Sequence, residues 1–142
     1  MEYDGPRHDR IRKKLHKIAK THGVRLWFRP SLGFSGEYHV GCDLIIVQLD
    51  NPAVRVISTF FHELGHHTDF HNKIFRDFYD NNAPLKRMRP TALKAERHAD
   101  ATGEKLCKKY FPKIKYEQSY RTAEDLYYLR AYYADGRSKV IK

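Results

Sequence analysis

Five consecutive residues, His62-Glu63-Leu64-Gly65-His66, carry the clearest chemistry in this chain. Residues four apart lie about 40° apart around an α-helix, so the two imidazoles project from one face and can hold one ion. Zinc suits such nitrogen ligands, and Glu63, one position further round, can reach a zinc-activated water as general base. The pattern predicts a hydrolytic Zn2+ site on a helix.

Such a site needs a third protein ligand and an open position, and Glu96 is the best candidate for the ligand. On a predicted helix over 91–111, Glu96 and Asp100 share the apolar face, while basic residues occupy the opposite one. Burying a carboxylate is costly unless it is paired or bound to a metal. A zinc ion bound to Glu96 would offset that cost for one carboxylate. A hydrogen bond from the N–H of a zinc-ligating imidazole would offset it for Asp100. A salt bridge to an arginine is the alternative.

Other histidines compete for the third ligand position. His71 follows His66 by five residues and points roughly opposite His62 if the helix continues, so only an early helix end lets it turn back. His71 is therefore the second choice for the third ligand. The remaining polar candidates are expected to be flanking or solvent-facing groups: His67, Asp69 and His98.

The elements that must position these residues follow from apolar spacing and turn chemistry. The helix carrying the motif is predicted over 52–70, capped by Asn51 with Pro52 at its first position. Gly65 lies at the edge of its apolar stripe, which predicts the close approach of another element. A first amphipathic helix is predicted over 7–22, ending at Gly23.

Three strands and three further helices complete the predicted fold. The strands cover 24–29, 37–40 and 43–49, and the helices cover 73–82, 91–111 with Thr91 as cap, and 122–134. The fold class is therefore α+β: an N-terminal helix, a small three-stranded antiparallel or mixed sheet, the helix of the motif, and a C-terminal helical part that carries Glu96. No internal repeat or linker divides the chain, so residues 1–142 are predicted to form a single domain.

The composition and the lengths of the apolar segments indicate the cellular location of the protein. Apolar residues make up 41% of the 142 residues, enough for a packed core. The longest apolar run, 44–47, is far shorter than the ~20 residues of a membrane helix, and no signal-peptide segment is recognisable at the start. Two cysteines are too few for a disulfide framework. A cytoplasmic protein with no membrane partner is the expectation.

The net charge of +10 makes nucleic acid a possible partner. The excess of Lys and Arg lies near the N-terminus and after residue 104, where it can form positive patches. No nucleic-acid recognition motif accompanies it. Nucleic acid is therefore not expected to be the primary ligand, and a protein or peptide substrate is preferred.

The motif at 62–66, followed by Glu96-Arg97-His98-Ala99-Asp100, resembles the gluzincin zinc peptidases. Among these it is most similar to the small ImmA/IrrE-type metallopeptidases of bacteria and phages, with their H-E-L-x-H and later E-x-x-A-D patterns; the resemblance spans roughly 24–111. It implies a zincin-like peptidase domain with His62, His66 and Glu96 as zinc ligands, Glu63 as general base and Asp100 supporting a ligand. It also implies cleavage of a regulatory protein such as a transcriptional repressor.

Three other interpretations remain open, and in the last of them the protein is helical, the motif is fortuitous and no metal is bound. The segment from His71 to Phe75 is similar to the H-x-x-x-F tail of SprT- and WLM-type DNA-associated zinc proteases, which implies His71 as the third ligand. The second alternative is a nonenzymatic, basic nucleic-acid-binding module that keeps zinc for structure.

Two further features are expected of a peptidase site: a side chain that stabilises the oxyanion and a strand edge that binds the substrate. A side chain that stabilises the oxyanion is expected among the tyrosines, with Tyr38, Tyr79 and Tyr110 as candidates. An extended substrate is expected to pair with an exposed strand edge, for which the strand over 43–49 is the candidate.

Overall fold

The computed structural model describes residues 6–32, 34–75 and 85–118. In these ranges the chain is α+β, with three long helices and a three-stranded mixed sheet. The elements, in chain order, are α1 (Pro6–Thr21), β1 (Arg25–Arg29), β2 (Gly36–His39), a 3₁₀ turn (Val40–Cys42), β3 (Leu44–Gln48), α2 (Ala53–His71) and α3 (Leu85–Tyr110).

This part of the chain confirms the predicted order of helix, sheet, motif helix and the helix that carries Glu96. The predicted helix over 122–134 lies outside the described residues, as does most of the one over 73–82. Lys73 and Phe75 have positive φ angles of 60° and 56°, so the start of that segment is not helical. None of the described helices is long and apolar enough to cross a membrane.

Helix α1 ends where it was predicted to end. Leu15 and Ile18 lie on its buried face and pack into the core. Gly23 has a φ of 72°, a left-handed conformation that glycine adopts without a Cβ clash. The Val24 amide then donates to the Ala19 carbonyl at 3.0 Å, which closes the helix and directs the chain into β1.

Strand β3 lies at the centre of the sheet. It pairs in parallel with β1, where Leu26 lies opposite Ile45, and antiparallel with β2, where Tyr38 lies opposite the same residue. Ile45 and Val47 are fully buried, so a strand this apolar gains by pairing on both sides. The prediction of a free edge at 43–49 is wrong. In the described part of the chain, the outer edges belong to β1 and β2.

The start predicted for the motif helix is confirmed to within one residue, whereas its predicted cap, and the start predicted at Thr91 for the helix that carries Glu96, are wrong. Pro52 has an extended ψ of 156° and is itself the N-cap of α2, while the Asn51 amide donates to Ser35 Oγ at 3.5 Å. Helix α3 begins at Leu85, so Thr91 lies inside it. The strong helix formers Leu, Lys, Arg and Met over 85–89 extend this helix toward its N-terminus.

Helix α2 lies between the sheet and α3 and also contacts α1. Phe60, Phe61 and Leu64 on one side are fully buried in the main core. The opposite side, which carries the two histidines of the motif, is buried too, because α3 covers it. The motif is therefore enclosed between two helices.

Two glycines set the distance between α2 and α3. A Cβ on Gly65 would overlap the Ala99 carbonyl group and lie only 2.9 Å from its carbon, and a Cβ on Gly103 would lie 2.7 Å from the Phe61 carbonyl carbon. Each helix thus presents a glycine to the backbone of the other. The close approach predicted at Gly65 is confirmed, and Gly103 is its counterpart on α3.

We expect Gly65→Ala and Gly103→Ala each to destabilise the fold by about 1–3 kcal/mol, because backbone atoms must separate to admit the methyl group. The matched control is Gly41→Ala in the exposed 3₁₀ turn, where an added Cβ meets nothing within 4 Å. Denaturant unfolding of the three variants measures the difference. In an uncrowded helix, alanine is more stabilising than glycine by about 0.5–1 kcal/mol, so an increase in stability would contradict the packing argument.

Candidate metal centre

His62 and His66 lie one turn apart on α2, with ring centroids 4.8 Å apart. The Glu96 side chain on α3 reaches both: its Oε1 lies 2.9 Å from His62 Nε2 and 3.0 Å from His66 Nε2. All three residues are buried. The structure therefore brings the three sequence-predicted ligands to one point, through the close packing of α2 on α3.

The hydrogen bonds of His62 fix the orientation of its ring. Its Nδ1 lies 2.8 Å from Asp100 Oδ1, and a carboxylate can only accept, so Nδ1 carries the hydrogen. In a neutral ring, Nε2 then directs its lone pair at Glu96. This is the arrangement in which a metal-ligating histidine donates its other N–H to a carboxylate.

The donor set is one that a divalent metal ion could bind. Two imidazole nitrogens and a carboxylate oxygen converge, and positive charge among them, carried by protons or by a metal, must hold them together. Ligand atoms around tetrahedral zinc lie roughly 3.3 Å apart, a few tenths of an ångström beyond these separations. His62, His66 and Glu96 could therefore hold the ion after a small opening of the cluster.

The pKa shifts of His62 and Glu96 agree with a need for positive charge in the cluster. Burial opposes a charge on His62, but its hydrogen bonds to Asp100 and Glu96 outweigh burial and hold its pKa well above the usual value. Burial alone would raise the pKa of Glu96, yet the imidazoles of His66 and His62 hold it well below the usual range. The carboxylate thus stays ionised deep in the protein, as a metal ligand must.

Asp100 has a further partner that the sequence did not reveal. The hydroxyl of Tyr116, in the segment that follows α3, donates to Asp100 Oδ1 at 2.7 Å. Tyr116 is buried, and burial together with the Asp100 charge raises the pKa of its phenol, so it remains a donor at any physiological pH. Tyr116 lies outside every predicted element and belongs to no motif. Only the fold brings it to the site.

Glu63 lies beside the cluster and is buried as well. Burial raises its pKa, and the charges of Glu96 and Glu37 act in the same direction, whereas the two imidazoles oppose the increase. A carboxylate with a raised pKa is a more effective proton acceptor near neutral pH. The position of Glu63 and its electrostatics both suit a general base.

The edge strand β2 passes close to Glu63. A Cβ on Gly36 would lie 3.7 Å from Glu63 Cγ and 2.5 Å from a methyl carbon of Thr59, so glycine permits this approach. The next residue, Glu37, binds His39 Nε2 at 2.6 Å through one oxygen. Its other oxygen is buried and has no hydrogen-bond partner within the described ranges.

His71 is not brought to the His62 cluster. It is the last residue of α2, half-exposed, and its Nε2 lies 2.8 Å from Asp43 Oδ1. His67, expected to be a flanking group, is buried against the same aspartate, and burial lowers its pKa. These residues form a separate group on another face of α2.

Asp69, expected near the surface, is the most deeply buried carboxylate of α2 at 1% exposure. It accepts hydrogen bonds from His98 Nδ1 at 2.8 Å and from the Thr102 hydroxyl at 3.4 Å, both on α3. His98 itself is exposed, as predicted. This pairing is a second tie between the two helices.

The tyrosines proposed to stabilise an oxyanion are engaged elsewhere. The Tyr38 hydroxyl donates to Asp43, and the Tyr110 hydroxyl lies 3.2 Å from His22 Nε2 while its ring stacks on Phe61. Tyr79 lies outside the described residues.

Comparisons of this chain with protein-family models, with curated proteins and with solved structures found no match.

We expect Tyr116→Phe to weaken zinc binding about tenfold and Asp100→Asn to weaken it by up to about a hundredfold, because both support the ring of His62. Competition with a chromogenic chelator measures the affinity. Tyr110→Phe is the matched control, since it removes a hydroxyl from a partly buried tyrosine whose hydroxyl lies beside His22 and whose ring stacks on Phe61. Equal affinities for Tyr116→Phe and the unaltered protein would show that Tyr116 does not act through the metal.

Proposed function

We propose that this protein is a zinc-dependent endopeptidase with His62, His66 and Glu96 as metal ligands and Glu63 as general base. The observation that carries the proposal is the convergence of two imidazole Nε2 atoms on Glu96 Oε1, with a buried carboxylate beside them. A zinc ion bound there supplies a Lewis acid that polarises a peptide carbonyl and lowers the pKa of a water.

The chain's own residues would have three tasks. The Glu63 carboxylate accepts a proton from the attacking water and passes it to the nitrogen of the leaving amine. Asp100 holds the hydrogen on His62 Nδ1, so that Nε2 remains a ligand. Tyr116 in turn fixes the Asp100 carboxylate. Asp100 and Tyr116 act through these hydrogen bonds, and a Glu63 carboxylate oxygen lies within 4.8 Å of a ring nitrogen of His62 and of His66.

The substrate is proposed to bind along the outer edge of β2, because the edge first predicted, at 43–49, lies at the centre of the sheet. Strand β2 pairs only with β3 in the described part of the chain, and it begins beside Glu63. An extended peptide added to this edge would be held by main-chain hydrogen bonds next to the general base. Such binding favours peptides over small molecules. That the peptide belongs to a regulatory protein remains a proposal from the resemblance alone.

One observation favours nucleic-acid binding as a second candidate function. Trp27 on β1 is 39% exposed, and the guanidinium groups of Arg25 and Arg29 lie 5.5 and 4.9 Å from its ring centroid. An exposed aromatic ring flanked by arginines is typical of single-strand stacking sites. Salt-dependent DNA binding that is lost in Trp27→Ala and retained in Glu63→Gln would support this function independently of catalysis.

We expect Glu63→Gln to lower peptide hydrolysis by about 10²–10⁴-fold while leaving zinc content unchanged, because it removes the proton acceptor and no ligand. Cleavage of a fluorescently labelled unfolded protein measures the loss. Glu104→Gln is the matched control, since Glu104 lies on α3 and pairs only weakly with Lys108, at 3.7 Å. Full activity in Glu63→Gln would exclude the proposed mechanism.

The ligand assignment is tested separately by metal analysis after identical dialysis. We expect Glu96→Ala to lose one equivalent of zinc relative to the unaltered protein, because the third protein ligand is removed. Glu104→Ala should keep it. Retention of all zinc in Glu96→Ala would transfer the third ligand to another residue and contradict the proposed site.

A further inference from the structure

We propose that Asp43, His67 and His71 form a second divalent-metal site, distinct from the one at His62. Their ligand atoms, one from each residue, all lie within 4.8 Å of one another. His67 and His71 are four residues apart on α2, so their rings share a face, with centroids 4.4 Å apart. The site goes beyond the proposed peptidase function and does not depend on it.

The hydrogen bonds of the cluster leave a place for a cation. His67 Nε2 lies 3.0 Å from the His22 carbonyl, which can only accept, so Nε2 carries a hydrogen. In a neutral ring, Nδ1 then directs its lone pair toward Asp43 Oδ1, 3.2 Å away. Two acceptors facing each other at this distance are stabilised by a positive ion between them.

The hydroxyl of Tyr38 cannot satisfy both acceptors. It contacts Asp43 Oδ1 and lies 3.1 Å from His67 Nδ1, yet it has a single hydrogen to donate. His71 Nε2 approaches the same Asp43 oxygen at 2.8 Å. One nitrogen of each imidazole thus converges on the same Asp43 oxygen, as the ligand atoms of a single metal ion would.

The backbone holds Asp43 in place for this contact. Its φ of 48° and ψ of 58° lie in the left-handed region, which costs energy for a residue with a Cβ and is adopted at the junction of the 3₁₀ turn with β3. Asp43 and His71 are partly exposed, so an ion could enter from solvent. Two imidazoles and one carboxylate favour Zn2+, Co2+ or Ni2+ over Mg2+ or Ca2+.

An ion at this site would join three parts of the fold. His67 and His71 belong to the end of α2, Asp43 stands at the start of β3, and the His22 carbonyl fixes His67 from the end of α1. Because the ligands come from separate elements, a bound metal would stabilise the folded chain by its binding free energy. The role assigned to the site is therefore structural.

Titration of metal-free protein with Zn2+ by calorimetry tests the proposal, with thermal unfolding as a second readout. We expect two equivalents for the unaltered protein, one for His71→Ala, one for Glu96→Ala and none for the double variant. Zn2+ should still raise the melting temperature of Glu96→Ala but not that of the double variant. His71 is half-exposed, so its replacement should not prevent folding, and Asp43→Asn provides an independent variant.

His16→Ala is the matched control, because it removes an exposed histidine on α1 and should leave both equivalents in place. A zinc count unchanged by both His71→Ala and Asp43→Asn would overturn the second site. A single equivalent lost in both His71→Ala and Glu96→Ala would also overturn it, since one shared site would then include His71. An equivalent lost in His71→Ala but none lost in Glu96→Ala would support the second site and contradict the ligands proposed for the peptidase.

Discussion

The backbone contact between α2 and α3 is the constraint on which the rest of the site depends. At Gly65 and Gly103 the two helices approach so closely that a methyl group on either would overlap the other's main chain. Glutamate and aspartate side chains are short, so Glu96 and Asp100 reach His62 only because the helix axes are this near. Any force that separates the helices therefore separates the carboxylates from the imidazoles.

This contact encloses a cluster of charges that would be unstable by itself. Glu63, Glu96 and Asp100 are all buried, and an isolated carboxylate in such surroundings costs several kcal/mol. The imidazoles of His62 and His66 compensate that charge, and Asp69 adds a second polar tie through His98. Removing one charged side chain leaves its buried partner without an opposite charge. The stability lost in this way exceeds the net stabilisation that the intact pair provides. On its other side, α2 is packed into the hydrophobic core through Phe60, Phe61 and Leu64.

Much of this site was predictable from the sequence because its signals are local. The spacing of His62 and His66 fixes a helical face, and Glu96 and Asp100 stand out because they interrupt an apolar stripe. Helical spacing also predicted α1 and the exposed face of α3, whereas the strands were predicted from short apolar segments bounded by turn residues. Gly65 was recognisable because glycine weakens a helix unless packing requires it.

The features that the sequence did not reveal depend on contacts between distant segments. Tyr116 reaches Asp100 through the path of the chain after α3, which no periodicity describes. The central position of β3 depends on how three short strands pair, and short apolar strands fit either an edge or a centre. Asp69 and His67 are polar by type, so composition places them outside, whereas α3 and Asp43 provide their buried partners.

The two histidine pairs of α2 link these observations. His67 follows His62 by five residues, so the second pair faces about 140° away from the first around the helix axis. One pair meets the carboxylate of Glu96 on α3, and the other meets Asp43 at the start of β3. A helix held on both sides in this way cannot rotate about its axis without breaking one set of contacts. The contacts at Asp43 therefore restrict the orientation of His62 and His66, although they lie on a different face of the helix.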